Sequence, residues 1–168
     1  MNGLRIGIGA LVLVASAGFA FAQAPTRIGA YRDWSAYTYS DQRGKVCYAA
    51  SQPKQQEPSG VNRDPVFFMV TNRPGENVKN EVSIIIGYPF REGSKVSADV
   101  DGKAFSMFTK DDGAWVENAA EESALIQAMR AGRNMTVKGT SRRGTDTTDT
   151  YSLSGVSAAL DAITKECP

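Results

Sequence analysis

The sequence contains no histidine. That removes the commonest general base near neutral pH, the usual zinc ligand and the ordinary serine or cysteine triad in one step. Cysteine is scarce: Cys47 and Cys167 are the two, far from the close Cys-x-x-Cys spacing that lowers a thiol pKa. Neither sign of charge is in surplus, with 19 Lys and Arg against 18 Asp and Glu. A near-neutral chain lacks the basic excess that holds nucleic acid or an anionic membrane surface, so no nucleic-acid partner is expected. Glycine-rich stretches do not make a nucleotide site, because Gly139 to Gly144 is not followed by Lys-Ser or Lys-Thr on a helix. No cofactor is expected.

Long apolar runs are missing except for one at the start. Met1 to Arg5 is short and basic, Ile6 to Phe21 is apolar, and Ala20-Phe21-Ala22 supplies small residues for a signal peptidase. Residues 1–22 therefore read as a cleaved Sec-type signal peptide, and the protein is expected in the periplasm or outside the cell. Gln23, Pro25 and Arg27 follow too soon for a helix of about 20 residues to remain in a bilayer, so no integral membrane segment is expected after removal of the leader. No cysteine follows the cut to carry a lipid. About 146 residues remain, the size of one domain, 23–168. Arg5 leaves with the leader, so 18 positive side chains then balance 18 negative ones. In an oxidising compartment Cys47 and Cys167 are expected to pair. The bond would close a loop of about 120 residues, contributing on the order of 4 to 5 kcal/mol in the chain-entropy account.

What remains reads mainly as strands. Trp34 to Tyr39, Val46 to Ala50 and Glu81 to Tyr88 have strand composition, and Val66 to Val70 is apolar enough to be buried on both faces. Lys95 to Val100 and Lys103 to Thr109 flank Asp101-Gly102, a dipeptide suited to a two-residue primed turn. Ala114 to Val116, Met135 to Gly139 and Thr147 to Leu153 complete the set, and Gln52 to Asn62 reads as a long loop. Asn118, with Glu121 three residues on, caps a helix that Gly132 ends. Ser154 is placed as the cap of a final helix whose stripe Val156, Leu160, Ile163 leads to Cys167. About eight short strands with one short internal helix and one C-terminal helix imply a single-domain antiparallel β-sandwich of immunoglobulin-like type, with a closed barrel as runner-up.

Several segments taken in order, Asn80-Glu81-Val82-Ser83, Gly87-Tyr88-Pro89-Phe90, Ala114-Trp115, Gly139 to Thr145 and Asp149 to Leu153, together with the terminal Cys167, resemble the invasion-associated locus B family. The resemblance covers nearly all of the chain after the leader. It implies a periplasmic or secreted β-sandwich protein of Gram-negative bacteria, linked in some pathogens with entry into host cells. It supplies no catalytic residues.

The most unusual composition is Lys138 to Tyr151, which brings Lys138, Arg142 and Arg143 beside Asp146, Asp149 and Tyr151 in a Thr- and Gly-rich hairpin. Its guanidinium groups suit a carboxylate, phosphate or sulfated sugar. The competing reading pairs the arginines with Asp146 and Asp149 across the hairpin, where exposed pairs add little. Asp99 and Asp101 fit a hairpin turn better than a calcium loop, and no metal site is expected. Asp111-Asp112 and Glu121-Glu122 read as solvated charge. Tyr31, Trp34, Tyr37 and Tyr39 form an early aromatic cluster, expected to pack the core; the alternative is an exposed binding face. These features favour a non-enzymatic protein that binds an unidentified protein or envelope component. The alternatives are a histidine-free hydrolase of envelope polymers and a structural or chaperone-like protein pairing through a sheet edge.

Overall fold

A computed structural model describes residues 24–168. The signal-peptide reading of residues 1–22 lies outside the described residues. Among the described residues eleven strands and two α-helices follow one another as β1 (Thr26–Tyr31), β2 (Trp34–Asp41), β3 (Gly44–Ser51), β4 (Gln55–Glu57), β5 (Phe67–Arg73), β6 (Val78–Ile85), β7 (Lys95–Val100), β8 (Lys103–Lys110), β9 (Gly113–Val116), α1 (Ala119–Ala131), β10 (Asn134–Thr140), β11 (Asp146–Ser152) and α2 (Val156–Glu166). All strands join one antiparallel sheet in the order β1-β2-β3-β5-β6-β9-β8-β7-β10-β11-β4. Two short strands exceed the sequence expectation, β1 and β4. Polar, proline-flanked β4 pairs with β11 along Gln55 to Glu57, inside the stretch expected to be a loop.

The sheet folds over so that its two ends face each other, which makes a sandwich from one continuous sheet; an immunoglobulin domain has two separate ones. Trp34 on β2 meets Phe68 on β5 edge to face at 6.2 Å, and Phe68 meets Tyr151 on β11 at 5.8 Å. All three are essentially buried. The Trp34 indole donates across the fold to the Ser152 carbonyl at 3.0 Å, so its polar edge is satisfied within the core. Alternation decides the rest. On β5, Phe68 and Val70 point inward while Phe67 and Met69 are only half-buried, so this strand is not buried on both faces as its composition suggested.

Asp101 and Gly102 adopt positive φ of 48° and 94°, the primed turn expected between β7 and β8. Asn118 caps α1 by accepting from the Glu121 N–H at 2.9 Å. Helix α2 packs across β1, β2 and β3, burying Val156, Leu160 and Ile163. Its cap differs from expectation. Gly155 stands at the N-cap with φ of 93° and there is no side-chain cap bond; the Ser154 carbonyl instead accepts from the Asp33 N–H at 3.2 Å. Glycine is needed there, because a side chain would meet the Tyr31 carbonyl.

The apolar stripe of α2 delivers Cys167 to Cys47 on β3, where the disulfide forms with a Cα separation of 5.9 Å. Buried Asn72 secures the same corner: its amide donates to the Cys167 carbonyl at 3.1 Å and its oxygen accepts from the Asn80 N–H at 2.8 Å. Among the described residues no helix is long and apolar enough to cross a membrane.

Candidate functional site

Strand β11 presents Thr147, Asp149 and Tyr151 to the interior by period-two alternation. A carboxylate placed there must be matched, since an unpaired buried charge is very costly. Arg63, from the segment between β4 and β5, supplies the match. Its guanidinium donates to both Asp149 carboxylate oxygens, at 2.8 and 2.7 Å, and to the Ile86 carbonyl at 2.8 Å. Side-chain exposure is 6% for Arg63 and 0% for Asp149, so this bidentate pair is dry. The guanidinium also lies 5.1 Å from the centre of the Tyr88 ring.

Around that pair the chain is closely fitted. The Tyr88 hydroxyl and Thr147 share a hydrogen bond of 2.6 Å, and burial pushes the Tyr88 phenol above its ordinary pKa, against the pull of that bond. Tyr88 meets Phe90 edge to face at 5.5 Å, and both rings close over Gly139, where a Cβ would lie 2.8 Å from Phe90. Gly87, at φ of 78°, lets its carbonyl accept from the Asp64 N–H at 3.0 Å.

Beyond the pair, β10 and β11 are joined by a hydrogen-bonded tip. Ser141 N–H donates to the Thr145 carbonyl and Gly144 N–H to the Ser141 carbonyl, each at 2.8 Å. Arg142 N–H reaches the Pro89 carbonyl at 2.9 Å, tying the tip to the Tyr88 turn. The side chains of Arg142 and Arg143 are exposed, and among the described residues neither joins an ion pair. Pairing them with Asp146 and Asp149 is therefore corrected: Asp146 accepts from the Thr140 hydroxyl at 2.7 Å, and Asp149 is held by Arg63. Of the hairpin residues proposed to touch a partner, Lys138, Arg142, Arg143 and Asp146 are exposed. Asp149 and Tyr151 are wholly buried and belong to the core. A cleft of about 460 Å³ opens between the tip, the Tyr88 turn and residues 61–64.

The other acidic candidates serve the backbone. Asp99 accepts from Gly102 N–H at 2.8 Å, and Asp101 accepts from Arg133 N–H at 2.8 Å, which places both carboxylates in turn capping. Glu122 accepts from Val82 N–H at 2.7 Å just past the last β6–β9 pair. Burial raises its pKa above the ordinary 4.5, with the Val82 bond opposing and Glu81 adding to the rise. Asp111 and Asp112 occupy the β8–β9 turn.

Residues 34–164 match the family model described as "Invasion associated locus B (IalB) protein". The chain belongs to the invasion associated locus B family. A crystal structure described as invasion associated protein B from Bartonella henselae has a similar fold, with a TM-score of 0.58 at 19% identity over 86% of this chain and 99% of that one. Comparison with curated protein sequences gives no match. Two segments that carry the family resemblance, Gly87 to Phe90 and Gly139 to Thr145, meet in space around the Arg63–Asp149 pair supplied partly by a third, Asp149 to Leu153.

The early aromatic cluster divides by alternation. Trp34 faces the core, as expected. Tyr37 and Tyr39 point to the opposite face of β2, half-buried, and pack against Tyr48 on β3 at 5.1 and 6.3 Å. The expectation that they fill the core is corrected, because a strand with Trp34 and Ala36 inward must turn the odd positions outward. They border an open groove of about 1090 Å³ on the outer surface of β2, β3, β5, β6 and β9.

Proposed function

We propose that this family member is an exported, non-enzymatic binding protein of the periplasm or cell exterior, and that Arg142 and Arg143 make its contact with a protein or envelope component. The observation that carries this reading is the contrast in charge pairing within one hairpin. Asp149, the acid that would have neutralised the arginines, is taken by Arg63 at 2.7 Å. Two adjacent guanidinium groups are thus left in water on a tip whose backbone is fixed by hydrogen bonds. A backbone already fixed lowers the ordering cost of engaging a carboxylate, phosphate or sulfate, and the planar guanidinium forks favour paired hydrogen bonds. The invasion named in the family description would then follow from that contact.

Crosslinking in intact cells, with mass spectrometry of the captured species, tests this. The wild-type protein is expected to capture a specific partner that Arg142→Ala with Arg143→Ala loses while its melting temperature stays unchanged. Equal capture by both proteins would remove the site. Amino-terminal sequencing of the exported protein is expected to begin at Gln23.

A further inference from the structure

The outer groove is built by cross-strand register. One row of paired residues runs Ser35, Ala50, Met69, Ser83, Trp115 from β2 to β9, and most of its members are small. The flanking rows are tall in part: Tyr37 and Tyr48 rise over β2 and β3 on one side and give way to Thr71 and Glu81, while Phe67 and Ile85 rise over β5 and β6 on the other and end at Gly113. Five strands about 4.8 Å apart make this trench roughly 19 Å long. The two flanking rows, four residues apart along each strand, stand roughly 14 Å apart between backbones, which suits one extended chain better than two.

Trp115 closes one end in an unusual posture. A Cβ on Gly113 would lie 2.9 and 3.0 Å from the indole Cζ3 and Cζ2 atoms, so the ring lies down over the bare glycine backbone. One face covers that backbone, Phe108 on β8 stands 5.9 Å from the ring at a 30° tilt, and the half-buried indole lines the groove with its remaining π surface. Such a π-face attracts polarised C–H groups. Tyr37, Tyr39 and Tyr48 offer further ring surface at the far end, where burial raises the Tyr48 phenol above its ordinary pKa.

Charge and backbone chemistry narrow the occupant. The groove's ionic groups are mostly matched to one another: Arg73 to Glu81 at 2.9 Å, and Lys54 to Asp33, leaving Arg32 at the rim. Matched pairs do not call for an anionic polymer but can share hydrogen bonds with neutral hydroxyls. A peptide would bring obligatory N–H and C=O groups onto a sheet face whose own backbone groups are spent in its ladders, and would lose water without return. A sugar chain has C–H faces for the rings and hydroxyls at its edges for Ser35 and the Arg73–Glu81 pair. We infer that this trench is a second binding site, separate from the hairpin tip, that takes a single neutral glycan chain by stacking on Trp115 and the tyrosine cluster.

The chain has two tryptophans, and Trp34 is buried with its indole N–H satisfied, so fluorescence changes on ligand addition report on Trp115. The purified protein is titrated with hexamers of N-acetylglucosamine, glucose and mannose, a heparin oligosaccharide and a ten-residue polyproline peptide. At least one neutral hexamer is expected to change the Trp115 emission. Its affinity by calorimetry is expected to fall at least tenfold in both Trp115→Ala and Tyr37→Ala, variants checked for wild-type melting temperature, and to be unchanged in the Arg142, Arg143 double alanine protein. Tyr37→Phe provides a gentler second substitution, expected to retain most of the affinity because the ring is kept. Response to none of the neutral hexamers, response only to heparin or polyproline, or binding indifferent to Trp115 and Tyr37 would overturn the inference. Loss of binding in the arginine variant alone would assign the sugar to the hairpin tip and overturn it equally.

Discussion

The middle and the tip of the β10–β11 hairpin hold charge in opposite ways. In its middle, Asp149 is sealed from water and satisfied by an arginine 86 positions away in sequence; at its tip, Arg142 and Arg143 stand in water without an acidic partner. A dry bidentate pair fixes a place in the fold because either member alone is intolerable there, whereas exposed charges cost the fold almost nothing and stay free to meet a ligand. The difference teaches that the motif-rich hairpin is one element with two tasks, and that its acids and bases are not partners of each other.

That contrast can be broken most forcefully at its buried end. Asp149→Ala leaves the Arg63 charge without its carboxylate, and a loss of about 3–5 kcal/mol is expected in urea unfolding. Replacing Cys47 and Cys167 together by serine removes a second buried tie and is expected to cost about 2–4 kcal/mol by the same measurement, while leaving the hairpin tip's binding intact.

Glu122 sits between the two extremes, half-buried, with a backbone N–H for a partner. Burial raises its folded pKa above 4.5, so the folded protein holds that proton more tightly than the unfolded chain does. Its contribution to stability is therefore full below pH about 4.5 and is lost as pH rises through the folded value. Glu122→Gln keeps an acceptor for Val82 without the charge. Wild type is expected to lose stability relative to this variant between pH 4 and 7 in parallel unfolding titrations. The smallest effect belongs to the exposed end: Arg142→Ala with Arg143→Ala is expected to change unfolding free energy by less than about 0.5 kcal/mol.

Much of this was legible in the residues. Asp101-Gly102 announced its turn, Asn118 its helix, and the stripe Val156, Leu160, Ile163 carried Cys167 to Cys47 as spacing required. Local chemistry decided those features. Gln55 to Glu57 did not read as a strand because its pairing depends on β11, a long-range neighbour, and not on its own propensity. Arg63 is hidden in the sequence for the same reason, sitting in a polar stretch with nothing local to mark it. A signal did exist: if Tyr151 faces the core, alternation sends Asp149 there too, and a buried acid demands a cation from somewhere. Applied to β2, that rule would also have separated Trp34 from Tyr37 and Tyr39.

The most direct test is a pair of double-mutant cycles in urea, one coupling Asp149 to Arg63 and the other coupling Asp149 to Arg142. A coupling energy on the order of 2 to 3 kcal/mol is expected for the first, and one within about 0.5 kcal/mol of zero for the second. A coupling between Asp149 and Arg142 as large as that with Arg63 would contradict the division of the hairpin into a structural pair and a free, partner-facing tip.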